Sequence, residues 1–392
     1  MSHRACSTHS LLQPQRCPLH CILPPYMLRN IAERGTAEQQ AKALRSLQVT
    51  DDLHEKRRAI AKGVEPSQAR AVGEKQRLVY DAEFGFSLPG RLVRSEGGAP
   101  TGDPAADEAY DGAGETYDLY RQVYERNSID GQGLQLISTV HYQRGYDNAF
   151  WNGQQMVYGD GDEDLPESMR LFNRFTIAVD IIGHELTHGV TQYEANLNYS
   201  YQSGALNESM SDVFGSLVKQ RQRSQTAAEA DWIIGEGLFT PNVNGVGIRS
   251  MKEPGTAYND PVLGRDPQPG HMNDYVNTPN DNGGVHINSG IPNRAFVITA
   301  LELGGYAWEK AGRIWYVTLR DKLRSNSNFN DAARLTFETA GELYGVGSLE
   351  QQAVRMGWLE VGIEIDGGGG SENPGCLPAL LNLFRPQAGG RK

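Results

Sequence analysis

The sequence predicts an α+β fold, with a β-rich N-terminal half followed by a mostly helical C-terminal half. Three observations predict it. Short β-branched and aromatic runs between Gly, Asp and Asn turn signals fill residues 77–164. From 172 to about 362 the apolar spacing turns helical. No cysteine lies between Cys21 and Cys376, so burial rather than a disulfide framework must hold the main fold.

Residues 1–70 are polar and irregular, with a charged helical pattern over 38–70 that includes Glu55-Lys56-Arg57-Arg58. Such a run reads as a solvated helix face, and as a segment open to proteolysis. Leu78-Val79-Tyr80 and Leu136-Ile137-Ser138-Thr139-Val140-His141-Tyr142 read as strands. Between them 109–127 reads as a helix, with Tyr117, Tyr120, Val123 and Tyr124 at helical spacing. The helical half divides into segments 173–195, 205–222, 289–304, 306–320, 329–342 and 347–356. A Gly-, Asn-, Asp- and Pro-rich connection over 241–285 is expected to lack regular structure, and loops of that length are usually functional. After Gly362, the run Gly367-Gly368-Gly369-Gly370 and the tail to 392 read as a flexible linker with a short appendage.

At 392 residues and 39% apolar content, the chain has room for two or three domains. Its net charge of −11 argues against nucleic-acid or anionic-membrane partners, which attract basic surfaces. No window approaches the roughly 20 apolar residues of a membrane span. The first thirty residues do not make a signal peptide, because His9, Gln13, Pro14 and Gln15 interrupt any apolar region.

Residues 184–188 read His-Glu-Leu-Thr-His. On a helix, positions i and i+4 share a face, so His184 and His188 can reach one metal ion with Glu185 beside them. Ile177, Val179, Ile181, Ile182, Leu186 and Val190 describe a helix buried on most sides. A catalytic zinc takes three protein ligands and keeps one position open. Glu208 supplies the third, at the start of an amphipathic helix. Asp212, again four residues on, shares its face and can accept a hydrogen bond from a ligand histidine.

These residues carry a resemblance. His184-Glu185-Leu186-Thr187-His188 followed by Gly204-Ala205-Leu206-Asn207-Glu208-Ser209-Met210-Ser211-Asp212 resembles the thermolysin family of neutral metallopeptidases. Asn148-Ala149-Phe150-Trp151 is similar to its substrate-pairing edge strand, and Asp281-Asn282-Gly283-Gly284-Val285-His286-Ile287-Asn288-Ser289-Gly290 to its second motif. The resemblance covers about 75–362. It implies a β-rich domain over 71–200 ending in the zinc helix, a helical domain over 201–362, and an active-site cleft between them. It further implies that Tyr199 and His286 steady the oxyanion, that Asp281 orients His286, and that Arg249 binds a substrate carbonyl. Asn148 and Ala149 would pair with the peptide backbone. Phe172, Phe175, Ile181, Ile234, Leu238 and Ile248 would line an apolar pocket, favouring cleavage on the N-terminal side of a bulky hydrophobic residue. One zinc ion, polypeptide substrates, a monomer and secretion are the matching expectations, with a cytoplasmic location or non-classical export as the alternatives where no signal peptide is recognisable. The chemistry agrees: Glu185 can take a proton from water and pass it to the leaving amine, and the negative oxygen needs fixed donors.

The sequence departs from the family in two places. Asp180, Asp231 and Glu236 match a double calcium site, but Lys219 and Ile233 stand where carboxylates are expected. Calcium is therefore possible but a two-ion cluster is disfavoured, and Lys219 is expected to pair with the remaining acids. The N-terminal segment is short, and Cys17-Pro18-Leu19-His20-Cys21-Ile22-Leu23-Pro24-Pro25-Tyr26 is similar to the pro-segment of the protealysin subgroup. Residues 1–70 are expected to lie over the cleft as an inhibitory pro-segment, with a thiolate of Cys17 or Cys21 as a candidate zinc ligand. Competing readings are another zinc hydrolase, such as an aminopeptidase, and a proteolytically silent binding protein. The first would need an amine-recognising acidic cluster, and the second has little reason to keep Glu185, Tyr199 and His286 together.

Overall fold

The computed structural model of the chain describes residues 20–60 and 74–365. Cys17 and the tail from 366 lie outside the described residues.

The N-terminal half is built on a six-stranded mixed sheet in the order β1 (His20–Cys21), β5 (Ala149–Trp151), β6 (Met156–Tyr158), β4 (Leu136–Val140), β2 (Arg77–Asp81), β3 (Arg91–Ser95). The β2–β4 and β4–β6 pairs are parallel and the others antiparallel. Alternation along β5 and β6 gives the sheet two apolar faces. Ala149, Trp151, Met156 and Tyr158 join the main core, whereas Phe150 and Val157 join a smaller cluster with Tyr142, Tyr146, Ala82 and Cys21. Two helices of the N-terminal segment follow β1: α1 (Pro25–Arg34), whose Asn30 Nδ2 donates to Leu263 O at 2.8 Å in the long connection, and α2 (Ala37–Ile60), whose Lys42 Nζ donates to Gly161 O at 2.8 Å beside the sheet. Pro25 at the first helical position presets the turn of α1. Thr36 and Gln39 close a reciprocal cap on α2: Thr36 N–H donates to Gln39 Oε1 at 2.8 Å and Gln39 N–H to Thr36 Oγ1 at 3.4 Å.

Over 38–50 the α2 helix corrects the reading of a solvated face, because Lys42, Ala43 and Ser46 are buried; residues 61–70 lie outside the described residues. The helix expected at 109–127 is α3 (Pro104–Asp118), followed by a wider turn over Leu119–Val123. It starts earlier because Asp103 caps it, accepting from Ala105 N–H, with Pro104 at its first position.

The second half carries α4 (Val179–Tyr193), α5 (Tyr201–Gln222), α6 (Asp281–Asn288), α7 (Gly290–Leu303), α8 (Ala311–Val317), α9 (Phe329–Tyr344) and α10 (Leu349–Leu359). The long connection is not featureless. It holds β8 (Arg249–Ser250), which pairs with β7 (Ile233–Ile234) just before it, and the two-residue ladder of β9 (Asn259–Asp260) with β10 (Gly264–Arg265). The α4 helix packs on α3 and β5 on one side and on α5 on the other. Ile177 belongs to the short turn before α4 and is exposed, unlike the rest of its predicted apolar set. The α4–α5 crossing is close because both helices present glycine: a Cβ on Gly215 would meet Asp180 O at 2.4 Å, and one on Gly183 would meet Gly215 Cα at 3.0 Å. Only that approach lets side chains of the two helices meet across the seam.

Candidate metal centre

His184 and His188 lie one turn apart on α4, and Glu208 faces them from α5. Their ligand atoms all fall within 4.8 Å of one another. The two Nε2 atoms are 3.0 Å apart, and Glu208 stands 3.5 Å from that of His184 and 3.4 Å from that of His188. All three side chains are fully buried.

Each imidazole is held through its other nitrogen. Asp212 Oδ1 accepts from His184 Nδ1 at 2.8 Å, and Asn207 Oδ1 from His188 Nδ1 at 2.8 Å, with Ser211 Oγ 3.0 Å from the same atom. Both Nε2 lone pairs are thereby turned inward. Asp212 also takes a bidentate grip from Arg249 and a hydrogen bond from Asn293 Nδ2 at 2.8 Å. Burial would raise its pKa, but Arg249 and His184 hold it well below the usual carboxylate range. The pairing with Asp212 was expected; the roles of Arg249 and Asn293 beside it, and of Asn207 and Ser211, were not, because long-range pairing leaves no periodic signal.

Glu185 has one oxygen fixed by the Trp151 amide at 3.0 Å, while its buried Oε1 accepts no hydrogen bond among the described residues. Burial and the Glu208 carboxylate push its pKa up. Tyr199 OH donates to Glu208 Oε1 and lies 3.2 Å from His286 Nε2. His286 is presented by a left-handed turn, with Asn282, Gly283 and Gly284 at φ 51°, 90° and 78°. Asp281 then accepts from both its backbone N–H, at 2.9 Å, and its Nδ1, at 2.6 Å. Burial opposes charge on His286, but the carboxylates of Asp281 and Glu208 hold its pKa up at about 9.

A stretch of this same chain lies across these groups. Strand β1 adds antiparallel to β5, pairing His20 with Trp151 and Cys21 with Phe150. Cys21 O accepts from His286 Nε2 at 3.1 Å. The next amide, Ile22 N–H, donates to Ala149 O at 3.2 Å and acts on the Glu185 carboxyl. Ile22 O accepts from Arg249 Nη1 at 3.2 Å. Leu23 is bracketed by Asn148, whose Oδ1 accepts its N–H at 3.0 Å and whose Nδ2 donates to its carbonyl at 3.3 Å. Ile22 and Leu23 are buried in the same apolar cluster as Phe172, Phe175, Ile181, Ile234, Leu238 and Ile248. Cys21 thus reaches the site through its backbone. Its side chain lies on the Phe150 face with Tyr142 and Tyr146, opposite the Trp151 face on which α4 packs, and it is not among the three side chains that could hold a metal ion. The thiolate-ligand expectation for Cys21 is corrected accordingly, and Cys17 lies outside the described residues.

Lys219 sits beneath α4 among the acids expected to bind calcium. Its buried Nζ is 3.0 Å from Asp180 Oδ2 and donates to Asp231 Oδ1 at 2.8 Å and to the carbonyl of Ile233 at 2.5 Å; Glu236 lies 4.0 Å away. The Lys219 ammonium is the buried cation of this cluster, and the Arg223 guanidinium covers it from outside, 2.6 Å from Glu236 Oε2 and 3.4 Å from Asp231 Oδ2.

The donor set suits zinc: two neutral-capable imidazoles with fixed tautomers and one carboxylate, all nitrogen and oxygen. Glu208 Oε2 is buried without a hydrogen bond among the described residues, which fits a metal-ligand atom. The comparisons with known proteins point to metallopeptidases. Residues 42–192 match the thermolysin metallopeptidase catalytic domain, and 195–363 match the thermolysin metallopeptidase alpha-helical domain. The chain is 51% identical over 354 residues to an extracellular metalloprotease of Pectobacterium carotovorum subsp. carotovorum, spanning 89% of this chain and 97% of that protein. It is 47% identical over 349 residues to protease PrtS of Photorhabdus sp. (strain Az29), spanning 88% and 92%. Among solved structures it is similar to the precursor of protealysin, a metalloproteinase from Serratia proteamaculans, with a TM-score of 0.79 and 52% identity over 88% of this chain and 99% of that one.

Proposed function

This chain belongs to the thermolysin family of metallopeptidases, and from that premise we propose that His184, His188 and Glu208 hold its zinc while Glu185 carries the proton in peptide-bond hydrolysis. The protein is a zinc-dependent endopeptidase made as a precursor. Zinc, when bound, polarises water and the scissile carbonyl. Glu185, held by the Trp151 amide, takes the water's proton and delivers it to the amide nitrogen as that bond breaks. Its raised pKa suits a group that must hold the proton between the two transfers. Tyr199 and His286 stabilise the negative oxygen, with Asp281 keeping His286 charged and aimed. Ala149, Asn148 and Arg249 grip the substrate backbone.

The observation that carries this reading is the seating of Cys21-Ile22-Leu23. The Cys21 carbonyl meets His286, the Ile22 amide lies beside Glu185, and the next carbonyl meets Arg249. A substrate in the same register would be cut on the N-terminal side of the residue in the place of Ile22, whose burial favours a bulky apolar side chain there. The same seating would keep the precursor latent: residues 1–70 would be a pro-segment, with residues 21–23 in the cleft. The catalytic half would span 71–200, the helical half 201–362 and a Gly-rich tail 363–392, acting as a monomer. Relatives are extracellular proteases, which supports work outside the cell on polypeptides.

The test is hydrolysis of an internally quenched peptide bearing a central bulky hydrophobic residue, after removal of 1–70. Chelation is expected to abolish turnover. Glu185→Gln is expected to lower it roughly 10²–10⁴-fold with zinc content unchanged. Turnover that survives either treatment would overturn the mechanism.

A further inference from the structure

Away from the zinc ligands, the loop after β6 reads Asp160-Gly161-Asp162-Glu163-Asp164; Asp160 pairs with His141 and Glu163 with Arg174, while Asp162 and Asp164 join Asp147 round one cation. That cation is the buried ammonium of Lys42 on α2. Its Nζ stands 2.8 Å from Asp162 Oδ1, 2.8 Å from Asp164 Oδ1 and 3.4 Å from Asp147 Oδ1, and it donates to Gly161 O at 2.8 Å.

The loop does not depend on Lys42 for its shape. Asp162 Oδ2 accepts from the amides of Leu171 and Phe172 at 2.8 and 3.0 Å, and Asp160 is held by His141 at 2.9 Å. Gly161 is left-handed at φ 59°, and a Cβ there would strike Asn173 O at 2.3 Å. Asp147 is only 3% exposed, and its Oδ1 faces Nζ yet accepts no hydrogen bond among the described residues. Burial and the Asp162 charge push the Asp147 carboxyl up, so the pocket is short of positive charge even with Lys42 in place.

Lys42 lies within the pro-segment and leaves with it. Three carboxylates and a carbonyl then face one point without a cation. Such a hard oxygen set suits calcium, which takes roughly six to eight oxygens at about 2.3–2.6 Å, the remainder coming from second carboxylate oxygens and water. We propose that Asp147, Asp162, Asp164 and the Gly161 carbonyl form a divalent-cation site of the mature enzyme, and that the Lys42 ammonium occupies it in the precursor. Lys219 differs in that its acids and its ammonium all belong to the enzyme, so that cluster stays neutralised throughout.

The proposal rests on 1–70 being a removable pro-segment, but the site itself can be tested with that segment still attached. Full-length Lys42→Met, verified as folded by a cooperative melt, is compared with wild type by equilibrium dialysis against calcium. The variant is expected to bind one more calcium ion per chain, and adding Asp164→Asn is expected to return the count to that of wild type. Equal counts in wild type and folded Lys42→Met overturn the site, whatever the fate of the pro-segment. Should Lys42→Met not fold, the count is read on wild type before and after the segment is lost. One ion gained supports the site, and none gained overturns it.

Discussion

Asp212 holds Arg249 by two parallel hydrogen bonds, Nε to Oδ2 at 2.9 Å and Nη2 to Oδ1 at 2.8 Å, with both side chains fully buried. Oδ1 also accepts from His184 Nδ1. One carboxylate therefore fixes a ligand imidazole on α4 and the guanidinium on β8 that meets the carbonyl of Ile22. In the proposed mechanism, metal binding and peptide binding share a single buried charge.

Asp212→Asn should expose that sharing. The Arg249 charge would be left buried and unpaired, which typically costs about 3–5 kcal/mol. Loss of the partner that orients His184 should weaken zinc affinity roughly 10–100-fold. Urea unfolding and zinc competition against a chelator measure the two effects. Wild-type zinc affinity in a destabilised variant would mean that Asp212 serves only the fold.

Much of the metal centre was legible because it is local. His184 and His188, and Glu208 and Asp212, are each four residues apart on a helix, and helical periodicity alone puts each pair on one face. Arg249 lies 37 residues from Asp212 and Asn293 lies 81 away, so nothing in either local sequence announces the pairing. Lys42 was hidden for a different reason. It sits in a charged helical run that reads as a solvated face, and only the acids 105–122 residues further on reveal why its charge is buried. Strand β1 is two residues long, too short for any periodic signal, yet it completes the sheet edge over the active site. The alternation of β5 decides which way Cys21 points, and so why its thiol is not a ligand.

Ile22 tests the seating of the pro-segment. An aspartate there would place a carboxylate in the apolar pocket beside Glu185, and burying such a charge unpaired costs several kcal/mol. Inhibition of the processed enzyme by the separately made segment should weaken at least ~100-fold, equivalent to about 2.7 kcal/mol. Ile22→Val should cost only about 0.5–1.5 kcal/mol. If the Ile22→Asp precursor stays as latent as wild type, residues 21–23 are not what blocks the cleft.

Lys219 lies against Asp180, which is fully buried in the first turn of α4. Lys219→Met would leave that carboxylate without its cation directly beneath the zinc helix. Unfolding free energy should fall by about 3–5 kcal/mol. Added calcium should recover part of the loss, since the vacated acids can then take an ion. A variant as stable as wild type in calcium-free buffer would show that Asp180 is satisfied without the ammonium.

His141 joins three elements of the sheet half. Its Nδ1 meets Asp160 at 2.9 Å and its Nε2 meets Asp103, the cap of α3, at 2.7 Å. The hydrogen bond to Asp160 leads a set of carboxylate interactions that outweigh burial and raise its pKa from 6.5 to about 9. A raised folded-state pKa means that the native state binds the proton more tightly than the unfolded chain does. The stabilisation is therefore fully present below about pH 6.5 and is lost as pH rises to about 9. Asp103 is partly exposed, so water screens the clamp, and a contribution of about 1–2 kcal/mol is expected at the acid end. His141→Gln should be less stable than wild type near pH 6.5, with the gap closing by about pH 9. The gap is read from urea unfolding at a series of pH values. A constant gap across that range would mean that His141 is neutral in the fold and that its contacts act as hydrogen bonds alone.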